Sequence, residues 1–331
     1  LPMDTGTHVI MGAGLVGLST LDPALAQNAA SFEAVLCGTM IGSVIPDIDT
    51  LLKLKDNATY IRHHRGVTHA LPATVLWPTF ITAGLHPFFP EASALHLWLW
   101  TCLAVVVHVG TDLFNAYGTQ ALRPFSNRWI ALDMISIFDP FITGAHLAGF
   151  VLWYLFGRPG PTFLAVYALL IGYYFLRARH HRRAVNLVKQ QIEGLEKIFL
   201  SPTMRWHTYH LAAIGEHHYY VGIVSGRRIR VIDTFKKAAL PDHPAIPVLL
   251  SDKNVAAFLS FSPIYRHAFI EYGDYYELRL TDLRYYKSGH YPFVAVARAD
   301  RRLNLLSSYT GWIYNTEKLE RKLVPNVSTS D

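Results

Sequence analysis

Six apolar segments separated by short polar stretches dominate the first half of the chain, at roughly 8–25, 34–45, 70–89, 95–111, 134–156 and 162–176. A membrane-spanning helix needs about 20 apolar residues. The third and fifth segments meet that length, the fourth and sixth fall slightly short, and the second is clearly short. Short helices of this kind are expected inside a bundle, where neighbours cover their ends. Beyond Arg177 the pattern changes. Val185, Val188, Ile192, Leu195 and Phe199 recur at spacings of three and four, which predicts an amphipathic helix over 178–200. Its apolar stripe needs a protein partner, a second copy of the chain, or the next domain to cover it.

From Arg205 onward, β-branched and aromatic residues alternate with polar ones. Segments 219–224 and 227–233 flank Ser225-Gly226 and predict a hairpin. Further strands are expected at 267–272, 276–280, 293–298 and 303–309, with a helix near 254–260. The predicted fold is a mainly α-helical multi-pass membrane bundle followed by a soluble, mostly antiparallel β (α+β) domain. Its expected parts are 5–177, a connecting helix over 178–200, and a β-rich domain over 201–325.

Composition agrees with the pattern. Of 331 residues, 51% are hydrophobic and 16% charged, with mean hydropathy +0.20, which is too apolar for an ordinary soluble enzyme of this length. Charge divides unevenly, −4 over 1–150 and +10 over 151–331. A basic second half suits the anionic face of a membrane. Nucleic acid is the weaker partner, because the basic residues are scattered rather than grouped on one recognition helix. Cys37 and Cys102 sit in apolar segments and form no metal knuckle. No basic region precedes the first apolar stretch, so no secretory signal is expected. Gly12-Ala13-Gly14-Leu15-Val16-Gly17 matches a dinucleotide fingerprint, but no βαβ unit surrounds it. Close helix packing explains these glycines better, as it does Gly38 and Gly42.

Imidazoles and carboxylates gather at the segment ends. Alternating segments bring His8, Asp47 and Asp49, His64 and His69, His108 and Asp112, and Asp133 and Asp139 to one side. Arg62, Arg65 and Arg123 fall there too, so the positive-inside rule makes that side cytoplasmic. His108 and Asp112 are one helical turn apart and reach one ion. Asp47 and Asp49 follow Pro46 and are expected on an extended turn. A turn is expected between His64 and His69 at Gly66, with Thr68 capping the helix that begins at Ala70. Ionisable groups beside a membrane bundle are costly unless paired or functional. Their convergence predicts a site for a divalent metal, zinc first, with manganese or magnesium as alternatives, as one ion or two.

The motifs His64-Arg65-Gly66-Val67-Thr68-His69, Pro46-Asp47-Ile48-Asp49 and His108-Val109-Gly110-Thr111-Asp112 together resemble a known pattern. With His8, Gly118 and Pro124-Phe125-Ser126, they are similar to the bacterial YdjM-type, LexA-binding, inner-membrane-associated hydrolase family. Leu283-Arg284-Tyr285 and Gly289-His290-Tyr291-Pro292-Phe293 resemble its YfhP-like branch. The resemblance implies a multi-pass membrane protein and a metal-dependent hydrolase, and it implies no substrate. His63 lies outside the shared pattern.

On that reading Asp47, Asp49, His69, His108 and Asp112 hold metal, with His8 and His64 as further ligands. Arg65 meets the charge of a phosphoryl group. Asp139 or Asp133 orients a ligand histidine or serves as general base. The expected substrate is a phosphoester of a lipid or of a membrane-proximal molecule. The competing expectation is a non-enzymatic membrane scaffold or regulator, with a structural metal and a basic interaction domain. Ion transport is disfavoured, because the polar groups sit at segment ends rather than at the bilayer midplane.

Overall fold

A computed structural model describes residues 5–287 and 289–323. The chain divides into two compact units. The first comprises residues up to 49, 65–183 and 201–207; the second comprises 50–64, 184–200 and residues from 208 on.

The first unit is helical. Helices α1 (Thr5–Ser19), α2 (Pro23–Ala26) and α3 (Ala29–Gly42) are followed by a 3₁₀ segment, Ile45–Leu54. Helix α4 (Asn57–His63) belongs to the second unit. Then come α5 (Leu71–Leu85), α6 (Ala94–Phe114), α7 (Pro140–Phe156) and α8 (Pro159–Gln191). Among the described residues two helices, α6 and α8, are long and apolar enough to cross a membrane, and α3 with the 3₁₀ segment, bent by 44°, makes a third if the pair counts as one span.

Segment lengths differ from expectation. The third and fifth apolar segments form helices of only 15 and 17 residues, α5 and α7. At 1.5 Å per residue these reach about 22–26 Å. Pro72 near the start and His86-Pro87 after the end bound α5, and α7 begins only at Pro140 because Asp139 caps it. The fourth segment, by contrast, extends to 21 residues and the sixth to 33.

Small residues bring the helices together. A methyl group on Gly38 would strike Thr101 and Leu97, and one on Gly42 would meet the Thr101 carbonyl. Helices α3 and α6 therefore pack backbone against backbone. A methyl group on Gly17 would strike Phe163 of α8 and one on Gly12 would strike Ser43 after α3, so the glycine run serves close helix packing. Met11, Ile142, Phe163, Val166 and Leu170 form the core between α1, α7 and α8. Phe80, Val151, Ile171 and Phe175 are each more than half exposed, giving the bundle the apolar exterior of a protein bathed in lipid.

In the second unit, strands β1 (Leu195–Pro202), β2 (Thr208–Gly215), β3 (His218–Ser225) and β4 (Arg228–Lys236) form one sheet in chain order. After α9 (Ala245–Ser251) and α10 (Lys253–Phe261), strands β5 (Tyr265–Glu271), β6 (Tyr275–Asp282), β7 (Phe293–Asp300) and β8 (Leu305–Trp312) form a second, with α11 (Thr316–Leu323) last. Neighbours in the second sheet are all antiparallel. Along β7 the side chains alternate. Phe293, Ala295 and Ala297 pack with Leu249 and Phe258 of α9 and α10, whereas Val294 and Val296 pack with Leu319 and Leu323 of α11. The β3–β4 turn is Gly226-Arg227, one residue later than expected, with Gly226 at φ +59°.

The segment expected as one connecting helix over 178–200 is helix to Gln191 and strand from Leu195. Helix ends at Gln191, Gly194 takes φ +67°, and Leu195 and Phe199 lie on β1. Val185, Val188 and Ile192 pack against Tyr209, Leu211 and Val224. Of the expected occupants, the next domain of the same chain covers the stripe.

Candidate metal centre

The site is built from helix ends. Helix α3 stops at Gly42, and its C-cap Ser43 has a carbonyl left over from the helical ladder. That carbonyl accepts from His108 Nδ1 at 2.7 Å. A carbonyl cannot donate, so the His108 proton sits on Nδ1 and Nε2 presents a bare lone pair. His69 is fixed in the same way. Thr68 Oγ1 donates to Asp49 Oδ2 at 2.7 Å, which uses its only proton. Its contact of 3.0 Å with His69 Nδ1 therefore has the imidazole as donor, which puts the proton of the neutral ring on Nδ1 and turns Nε2 to the carboxylates as an electron-pair donor.

These two Nε2 atoms face each other at 3.3 Å. Asp112 Oδ2 lies 3.3 Å from His69 Nε2 and 3.8 Å from His108 Nε2. Asp47 Oδ1 lies 3.5 and 3.8 Å from the same atoms. The ligand atoms of Asp47, His69, His108 and Asp112 all fall within 4.8 Å of one another. Neither carboxylate oxygen receives a hydrogen bond among the described residues. Four electron-rich atoms brought together out of water demand a cation. Burial alone would depress the His69 imidazole, but the neighbouring carboxylates of Asp112 and Asp47, 3.3 and 3.5 Å from its Nε2, outweigh it and the net shift is upward. One proton on His69 satisfies part of the cluster; a divalent ion satisfies all of it. Zinc-length bonds of about 2.0–2.2 Å put tetrahedral ligands about 3.3–3.6 Å apart, close to the spacings found. The four residues therefore fit a metal ion.

The surroundings hold these ligands in place. Asp112 Oδ1 takes Arg65 Nη2 at 2.9 Å and Asn115 Nδ2 at 3.2 Å, with His8 Nε2 at 3.5 Å. All its donors sit on that side, so Oδ2 is left for the histidines. Asn115 follows α6, and its Oδ1 gathers the backbone N–H groups of Tyr117 and Gly118 together with Arg65 Nη1. Gly118 stands at φ +68°, and a methyl group there would run into the Ile130 carbonyl. Arg65 also takes a left-handed conformation, φ 58°, and its N–H donates to Asp49 Oδ2 at 2.8 Å.

The structure thus brings together His8, Asp47, Asp49, Arg65, His69, His108 and Asp112, in differing roles. Asp49 lies behind His69, oriented by Thr68 and Arg65. His8 stacks on His108 with ring centroids 3.7 Å apart and touches the outer oxygen of Asp112. The Arg65 guanidinium is committed to Asp112, Asn115 and the Gly118 carbonyl, at 2% exposure. Thr68 does not cap α5, whose N-cap is Ala70; its hydroxyl is occupied by Asp49. Asp47 and Asp49 lie on a 3₁₀ helix rather than an extended turn. His64 ends the second unit's segment, where its ring stacks on Tyr60. Asp139 lies elsewhere. Its Oδ1 caps α7 through Phe141 and Ile142, and its Oδ2 accepts from Tyr173, so both oxygens have structural partners. Asp133 stands in the loop before α7 at φ 51°. Asn115 was not foreseen, although an Asn three residues after Asp112 and three before a glycine carries the signal of an Asx turn.

A helical membrane domain with a buried His/Asp cluster able to hold a metal, followed by antiparallel sheets, defines the class. The chain belongs to the YdjM inner membrane protein family, whose model matches residues 3–184. Residues 193–235 match the YfhP middle domain and 244–323 the YfhP C-terminal alpha/beta plait domain. The chain is 49% identical over 322 residues to "Uncharacterized protein YfhP" of Bacillus subtilis (strain 168), covering 97% of this chain and 98% of that protein. No solved structure matches it.

Proposed function

We propose that the protein is a membrane-bound metal-dependent hydrolase that cleaves a phosphoester of a lipid or a membrane-proximal substrate, with its site facing the cytoplasm. The observation that carries this reading is the pair of Nε2 atoms of His69 and His108 set 3.3 Å apart beside two carboxylates, with the ligand atoms of all four residues within 4.8 Å of one another. Two imidazoles with two carboxylates suit zinc first and manganese next; magnesium fits less well. A divalent ion in such a site supplies a nucleophile from water at neutral pH. Asp47, with 9% of its side chain exposed, is the most accessible of the four residues, so substrate approaches from its side. Arg65 positions Asp112 and offsets its charge. His8, stacked on His108 beside Asp112, is placed to exchange a proton at its imidazole nitrogens.

A second reading rests on the ligand count. Four protein ligands close a tetrahedron, and closed sites are typically structural. In that case the protein is a scaffold or regulator, with the β-rich unit as its interaction domain. The two readings separate in one assay. Purified protein is loaded with zinc or manganese and offered phospholipids and generic phosphoesters, alongside Asp112→Ala. The hydrolase reading predicts metal-dependent turnover that the variant loses. Stoichiometric metal with no turnover on any phosphoester supports the scaffold and overturns the enzyme.

A further inference from the structure

A single loop carries an unexplained combination of order, charge and exposed apolar surface. Residues 119–130 follow α6 and close on themselves. Thr119 and Ile130 exchange backbone hydrogen bonds at 3.0 and 2.9 Å. Within the loop, Gln120 Nε2 donates to the Asn127 carbonyl at 2.8 Å, and Arg123 Nε donates to Asn127 Oδ1 at 3.0 Å. The Arg128 N–H donates to Ser126 Oγ at 3.2 Å. The base is tied down as well: the Gln120 N–H donates to the Arg65 carbonyl and the Leu71 N–H to the Ala121 carbonyl.

This ordered loop holds Phe125 at 87% exposure and Leu122 at 40%. In water, an ordered loop gains nothing by displaying a phenylalanine at its tip. The loop leaves the end of α6, a helix long and apolar enough to span a bilayer, and its base meets the start of α5. Chain continuity therefore sets it at the membrane boundary. Its charge has one sign: residues 116–131 contain Arg123 and Arg128 and no acidic residue. Half-buried Trp129 lies beside them. Aromatic side chains with neighbouring arginines are the composition that settles between acyl chains and headgroups.

We propose that loop 119–130 is an interfacial anchor. Leu122 and Phe125 enter the headgroup–acyl boundary, and Arg123 and Arg128 bind the phosphates of anionic phospholipids. Through the Gln120–Arg65 and Ala121–Leu71 hydrogen bonds, the anchor sets the depth of the metal centre relative to the headgroups. The inference does not depend on hydrolase activity.

The test uses the full-length chain in nanodiscs of phosphatidylcholine, with or without phosphatidylglycerol. An environment-sensitive NBD label is placed through Phe125→Cys, and in parallel through Leu122→Cys, with Cys37 and Cys102 replaced by Ser. Thermal melting confirms that each variant is folded. The expected result is blue-shifted emission, quenching by spin-labelled acyl chains and protection from aqueous iodide. Phosphatidylglycerol increases that protection, and high salt or Arg123→Gln with Arg128→Gln removes the increase. Water-like emission with full iodide quenching at both positions overturns the anchor. So does protection from iodide without acyl-chain quenching, which would mean a second copy of the chain covers the loop. A phosphatidylglycerol effect unchanged in the double arginine variant overturns the headgroup contact.

Discussion

At the scale of single residues, the metal centre depends on which nitrogen of each histidine carries the proton. His108 is set by a carbonyl, an acceptor that no change of tautomer can satisfy otherwise. His69 is set by Thr68, whose hydroxyl acts only because Asp49 takes its proton. Thr68→Val removes this relay and keeps the side-chain shape. The variant should fold with an unchanged melting temperature in the apo form and bind zinc about 10–100-fold more weakly, as found when partners behind metal-bound histidines are removed. Calorimetric titration of zinc checks it, and unaltered affinity would show that the relay is idle. The residue types were readable from the sequence, because imidazole and carboxylate at apolar segment ends are costly without a purpose. The division of labour was not readable. Motif spacing alone could not separate Asp47, which faces the cluster, from Asp49, which stands behind His69. That difference arises from the 3₁₀ winding after Pro46, which turns residues two apart to different directions.

At the scale of elements, hydrophobic periodicity located all the long helices and most of the strands. It failed where local chemistry overrides it. Helix α8 ends at Gln191 and Gly194, at φ +67°, turns the chain into β1 at Leu195, although the apolar spacing continues and gives no sign of the change. Asp139 looked catalytic because a carboxylate beside a membrane segment invites that reading, yet it serves α7 as N-cap. Asp22 is a further carboxylate in a structural role. It caps α2 through Ala24 and takes His96 Nδ1 at 2.6 Å and Trp100 Nε1 at 3.0 Å from α6. Burial would raise its pKa, but the hydrogen bonds of Trp100 and His96 outweigh that and lower it. A carboxyl group with a depressed folded pKa stabilises fully above its unfolded value, about 3.9, and loses that contribution as the pH falls towards the folded value. Stability of the wild type should therefore drop on acidification below about pH 4. Asp22→Asn should be less stable at neutral pH and should show a smaller drop. Parallel thermal melts of the two across pH 3–7 check this, and identical acid profiles would contradict it.

At the scale of the whole molecule, the chain runs from an apolar helical unit to a β-rich unit, and composition foretold that order. The segment over 50–64 was hidden. Its residues lie between Asp49 and Arg65 in sequence but fold with the second unit, where α4 packs on α10, Ile61 joins its core and Asn57 donates to the Thr310 carbonyl. A helix of seven residues is too short for periodicity to assign to a domain. The YdjM match ends at 184 and the YfhP matches begin at 193, close to the change of unit at 183/184, but the YdjM match includes 50–64, which fold with the second unit, and the YfhP middle match includes 201–207, which fold with the first. Asp47, His69, His108 and Asp112 are proposed to hold one divalent metal together. Elemental analysis with X-ray absorption on the purified full-length protein, beside His69→Ala and His108→Ala, tests it most directly. The expected result is about one ion per wild-type chain, bound by nitrogen and oxygen at about 2.0–2.2 Å with an imidazole signature. Each variant should lose it. A wild type that stays metal-free after growth and dialysis with zinc or manganese, or variants that keep their full metal content, would rule out a metal at these four residues.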